Sequence, residues 1–267
     1  MNFSQLLTAV RLQPQAVTIP AEWAQGRACF GGLMAALVYE AMHAKVAPDR
    51  PVRSLAITFV GPAEPGVPIS FEVELLRDGK AVSSLLGRAV QNGQVVTLVQ
   101  GSFGAGRDSV VQVSGLAPVP MKSLAESSPE LPFIKGVTPE FIRHLAMRWG
   151  IGGLPFSGSR SREMGGWVRL RGEDVVEEPV TEAHLLALVD AWPPALMPHL
   201  STPAAGSTLT WTIEFVQPVA SLTTLDWCQY CAQIDYARDG YGHVAAALWN
   251  GAGDLLAISR QTVTVFA

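Results

Sequence analysis

With 267 residues, 48% hydrophobic and 16% charged, the chain has ample material for one or two packed cores, which excludes a disordered protein. Its net charge of −4 argues against nucleic acid as a partner, because holding phosphates needs a basic surface. No stretch reaches the roughly 18 apolar residues of a membrane helix, residues 1–5 lack the pattern of a secretory leader, and three cysteines cannot all pair, so a cytoplasmic location is expected.

Residues 16–20 are expected to add one short strand. Residues 33–44 (LMAALVYEAMHA) read as a helix, with Leu33, Leu37, Val38 and Met42 at helical spacing. This helix is apolar on most sides, as a buried one would be. Gly31-Gly32 at its start allows another backbone or a ligand to approach closely, and Pro48 closes it. Strand-like runs follow at 54–60 and 69–75, then two long strands at 81–91 and 95–103. Asp78-Gly79 and Asn92-Gly93 carry the tight-hairpin signal, since Gly and Asn tolerate positive φ.

Residues 105–160 break the pattern. Pro118, Pro120, Pro129, Pro132 and Pro139 mark a long connector, with one short helix expected over 141–149. A strand at 167–171 comes next, then a helix over 182–190 with Thr181 as its N-cap, interrupted by Pro193-Pro194. The remaining strands are read at 208–216, 227–236, 242–249 and 255–265.

Two stretches, 52–104 and 207–265, read as copies of one pattern. Thr58-Phe59-Val60-Gly61-Pro62 is matched by Glu214-Phe215-Val216-Gln217-Pro218, Arg77-Asp78-Gly79 by Arg238-Asp239-Gly240, Asn92-Gly93 by Asn250-Gly251, and Gln100 by Gln261. Two copies are too few for a solenoid. Each half is therefore expected to be a strand, a buried helix and a four-stranded antiparallel meander. The fold class is α+β, an antiparallel sheet wrapped around a central helix in each of two repeats. The first unit spans 1–110, the connector 111–160 and the second unit 161–267.

Nucleotide and zinc-protease motifs are missing, as is a nucleophile elbow, and no metal site is expected. Cys228-Gln229-Tyr230-Cys231 is a CxxC, but within a strand its cysteines point to opposite faces and read as packing residues. The five histidines are scattered; His199, after the broken helix, stands out most. Asp190 is the sharpest candidate for chemistry. It ends the apolar run Leu185-Leu186-Ala187-Leu188-Val189, where a carboxylate is costly to desolvate unless it is hydrogen-bonded or used. Capping the break before the prolines is the equal alternative. With Thr208 and Gln261 it would supply a base, a hydroxyl and an amide, enough to hold and activate one water.

Phe30-Gly31-Gly32, Leu75-Leu76-Arg77-Asp78-Gly79, Gln91-Asn92-Gly93 and Gln100-Gly101-Ser102-Phe103 resemble the double-hotdog acyl-CoA thioesterases of the bacterial acyl-CoA thioesterase II type. The resemblance implies thioester hydrolysis. Asp190 falls at the family's aspartate, Thr208 at its hydroxyl position and Gln261 at its glutamine, the three residues that hold the hydrolytic water. It also implies an acyl-CoA substrate, exposed arginines for the coenzyme A phosphates, backbone donors near Gly31-Gly32 for the oxyanion, and no cofactor. Exposed sheet edges favour a homo-oligomer. The rival readings are a non-catalytic acyl-binding protein on the same scaffold, a hotdog hydratase, whose Asp-His pair is missing here, and a purely structural module.

Overall fold

The computed structural model describes residues 1–172 and 175–267. It opens with helix α1 (Phe3–Leu12), an element absent from the sequence expectations. Its start is a capping box: the Asn2 side chain accepts from the Gln5 N–H and the Gln5 side chain accepts from the Asn2 N–H, both at 2.9 Å. Phe3, Leu6, Leu7 and Val10 make the buried stripe.

Three short strands follow, β1 (Val17–Thr18), β2 (Ala24–Gln25) and β3 (Ala28–Cys29), and then α2 (Gly31–His43). Every residue of α2 from Gly32 to Met42 is buried, as its all-round apolar sequence demands. Its one buried carboxylate, Glu40, is held by Arg11 from α1. Strands β4 (Val52–Phe59), β5 (Pro68–Asp78), β6 (Val82–Gln91) and β7 (Gln94–Gly104) follow. After the connector come β8 (Leu145–Ile151), β9 (Glu163–Leu170), α3 (Glu182–Asp190), and β10 (Ala205–Phe215), β11 (Cys228–Arg238), β12 (Tyr241–Trp249) and β13 (Leu255–Phe266).

Eleven strands form one antiparallel sheet in the order β1-β5-β6-β7-β4-β10-β13-β12-β11-β9-β8. The order reads alike outward in both directions from the β4–β10 seam. It differs from two plain meanders, because β4 and β10 each leave their chain neighbour, β5 or β11. They pair instead with β7 and β13, which puts them side by side to join the two sheet halves. Helices α2 and α3 pack antiparallel against one another: Gly32 lies by Leu186 and Asp190, while Tyr39 reaches Glu182.

Three local expectations are corrected. Residues 141–149 do not form one helix; a 3-10 turn at Glu140–His144 runs straight into β8. That stretch extends because β9 needs a partner, and its outer edge is then closed by the connector, where Leu131 N–H donates to Met147 C=O and Ser128 N–H to Trp149 C=O. Asp78-Gly79 does not make a positive-φ hairpin. Asn92-Gly93 and Asp239-Gly240 do, with φ of 52° and 75°, and 55° and 81°. Gln100 is not the structural counterpart of Gln261. In corresponding strands Leu55 faces Gly101 and Trp211 faces Gln261, so Gly101 takes that position and Gln100 points out.

The CxxC cysteines do split between faces. Cys228 joins the main core and Cys231 a smaller cluster beneath Val119 and Met121 of the connector. Among the described residues no helix is long and apolar enough to cross a membrane.

Candidate active site

Asp190 ends α3 because Pro193 and Pro194 stop the helix just beyond it. The start of α3 is fixed at the other end by Thr181, whose N–H donates to His184 Nδ1 at 3.1 Å. A carboxylate in the last turn opposes the helix dipole of α3. It is accepted there because the N-terminus of α2, which has no side-chain cap, lies against it and the Gly32 N–H donates to it.

That approach explains both glycines. A Cβ on Gly31 would stand 2.8 Å from Asp190 Oδ2 and 3.1 Å from Phe59 Cζ. One on Gly32 would stand 2.6 Å from Phe30 Cζ, 2.9 Å from Asp190 Cβ and 3.0 Å from the Leu186 carbonyl. Neither glycine is needed for its dihedrals; both are needed for space.

Gln261 and Thr208 arrive from neighbouring strands. Gln261 Nε2 donates to Asp190 Oδ1 at 3.0 Å, and Thr208 Oγ1 donates to Gln261 Oε1 at 3.3 Å. A β-bulge aims Thr208. The register of β10 against β13 slips between Thr208 and Thr210, so the extra Leu209 brings Thr208 to the face that carries Trp211. Trp211 is fully buried behind Gln261, its partner across the strands, and its indole donates to Ser259 Oγ at 2.9 Å.

Thus Asp190, Thr208, Gln261, Gly31 and Gly32, all named from the sequence, meet at one place where α2, α3, β10 and β13 converge. Burial pushes the Asp190 carboxyl up to about 7; the hydrogen bonds from Gln261 and Gly32 oppose the shift without cancelling it. A carboxyl poised there can take a proton from water at neutral pH and return it. His199 stands apart: its Nε2 meets the Ser161 carbonyl at 2.8 Å, beside a cavity of about 430 Å³ lined also by Arg162, Arg238 and Val265. Sequence reasoning did not name Phe59, Trp192 or Tyr230 as neighbours of Asp190. Trp192, two residues on in the Ala-Trp-Pro-Pro stretch, was the available signal.

The acyl-CoA thioesterase C-terminal domain family matches residues 125–265, and the acyl-CoA thioesterase N-terminal domain family matches residues 19–104. The chain is 25% identical over 254 residues to acyl-CoA thioesterase 2 of Haemophilus influenzae, covering 88% of this chain and 86% of that protein. A shorter match, 31% over 90 residues, links it to human acyl-coenzyme A thioesterase 8, of whose length it spans 28%. Among solved structures it is similar to a hot dog fold protein from Alicyclobacillus acidocaldarius, with a TM-score of 0.78 at 25% identity, covering 94% of this chain and 92% of that one. The acyl-CoA thioesterase II of Mycobacterium marinum matches with a TM-score of 0.68 at 18% identity over 97% of each chain. The fold is the hot dog fold.

Proposed function

This chain belongs to the acyl-CoA thioesterase family, and from that premise we propose that Asp190 is the general base with which it hydrolyses acyl-CoA to free acid and coenzyme A. The observation that carries the reading is the hydrogen-bonded row Thr208–Gln261–Asp190, ending on a carboxyl held near neutrality.

Gln261 fixes the carboxylate, and the Thr208 hydroxyl keeps an acceptor for a water on the same side. Asp190 takes a proton from that water as its oxygen bonds to the thioester carbonyl carbon. The oxyanion is met by a backbone N–H of the open first turn of α2 other than that of Gly32, which Asp190 already holds. When the tetrahedral intermediate collapses, the C–S bond breaks and the departing thiolate recovers the proton from Asp190, so the carboxylate is regenerated. Activating water through a carboxylate needs neither a metal nor a redox cofactor.

The cavity beside His199 suits the phosphates of coenzyme A. Val265 lies on the face of β13 that carries Gln261, four residues or about 13 Å further along, a separation a pantetheine arm can bridge. The symmetric strand order and the paired helices support a double hotdog, with repeats at 1–110 and 161–267 around a connector at 111–160. Leu75 and Leu76, exposed on β5 beyond its two-residue pairing with β1, support a homo-oligomer, and the three unpaired cysteines support a cytoplasmic setting.

The test is release of coenzyme A thiol from a panel of acyl-CoA thioesters by wild type and Asp190→Asn. Turnover by the wild type that falls about a hundredfold or more in the variant is expected. Binding without turnover by the wild type would favour the acyl-binding alternative.

A further inference from the structure

Three aromatic rings form one group that reaches Asp190 through Tyr230, whose ionisation the carboxylate opposes, and through Trp192, two residues beyond it in the chain; they take no part in the proton chemistry. The Trp192 ring stacks on Tyr230, with centroids 5.3 Å apart and planes at 7°, and meets Trp149 edge-on at 4.9 Å and 65°. The sheet makes room for this group. Gly166 of β9 is the strand partner of both Trp149 and Tyr230, so no side chain stands between them. That residue must be glycine, because its φ is +155° and a Cβ would run into the Arg148 carbonyl. Burial pushes the Tyr230 phenol up, and the charge of the nearby Asp190 carboxylate adds to the shift.

Each ring is only 6% exposed, yet the indole N–H groups of Trp149 and Trp192 are buried with no hydrogen-bond acceptor among the described residues. A buried donor left unpaired costs about 1–3 kcal/mol, and native proteins seldom leave such groups without a partner. A ligand oxygen would satisfy them. The rings also make a firm boundary, because an indole stacked on a phenol and met edge-on by a second indole cannot yield as a leucine or methionine would.

Resting on the assignment of Asp190 above, we propose that Trp149, Trp192 and Tyr230 are the far wall of the acyl site and select a compact acyl group bearing an acceptor oxygen, as in a short hydroxy- or oxoacyl thioester. The wall limits chain length, and the two indole N–H groups receive the oxygen.

The experiment compares kcat/KM for straight four-, eight- and twelve-carbon acyl-CoA thioesters and a four-carbon 3-hydroxyacyl-CoA. The enzymes are wild type, Trp192→Phe and Trp192→Ala, each checked for folding by its thermal transition. Wild type should favour the four-carbon chains and, between those, the hydroxylated one. Trp192→Phe keeps a flat ring but no donor, so it should hold the length preference and lose about tenfold of the preference for the hydroxyl. Trp192→Ala should shift the ratio of twelve- to four-carbon turnover upward by about tenfold or more. A wild type indifferent to chain length, or a folded Trp192→Ala with an unchanged profile, overturns the inference. If Asp190→Asn still abolishes hydrolysis in that case, only the wall assignment falls; if Asp190→Asn is fully active, the site assignment falls with it.

Discussion

Replacing Asp190 by Asn should cost activity and add stability at the same time, and the second effect depends on pH in a way a structural aspartate would not show. The carboxyl ionises at about 7 in the folded chain against 3.8 as the ordinary value. Because the folded pKa is raised, the protein has its full stability from this group below about pH 4, loses it as pH climbs toward 7, and levels off above. By linkage the loss is on the order of 4 kcal/mol. Asn has no charge to desolvate, and like the protonated carboxyl it offers one carbonyl oxygen to Gln261 and Gly32, so it matches the wild type at low pH. The variant should therefore be about as stable as wild type at pH 4 and more stable, by up to about 4 kcal/mol, at pH 8. Urea unfolding at pH 4, 6 and 8 measures the difference, while thiol release follows the hundredfold loss of turnover. A variant destabilised equally at all three pH values would refute the desolvation argument, and one with wild-type turnover would refute the role of the base.

Other expectations follow from the same contacts. The wild-type kcat/KM should rise with pH through a single ionisation near 7, and Gln261→Leu, which removes a donor to the carboxylate, should move that limb to higher pH; a limb that stays in place would mean another group is being titrated. Gly32→Ala puts a methyl against Phe30, Asp190 and the Leu186 carbonyl, so its thermal transition should fall by an amount equivalent to about 1–3 kcal/mol, with kcat reduced more than KM is raised. Cys29, Cys228 and Cys231 are buried, with thiols pushed up to about 12, so iodoacetamide should label them only after unfolding, as mass spectrometry of native and denatured protein would show.

Much of the scaffold was legible in the chain because its signals are local. An all-round apolar run dictates a buried helix wherever it sits, and α2 and α3 fall where that pattern places them. Period-two runs gave the long strands for the same reason, and Asn92-Gly93 gave its hairpin because φ preference belongs to the residue. The Asn2–Gln5 capping box that starts α1 is an equally local signal. The misplaced features were those decided by neighbours. Residues 145–151 extend because β9 offers an edge, and Gln100 loses its match with Gln261 because strand register, not spacing along the chain, sets which side chain faces in. Asp190, Thr208 and Gln261 could be named from the sequence, yet their meeting depends on a one-residue bulge at Leu209 and on two glycines thin enough to let α2 touch the end of α3. The near-neutral carboxyl is wholly tertiary in origin, since desolvation is set by what surrounds a group, and the chain order of residues carries no record of that.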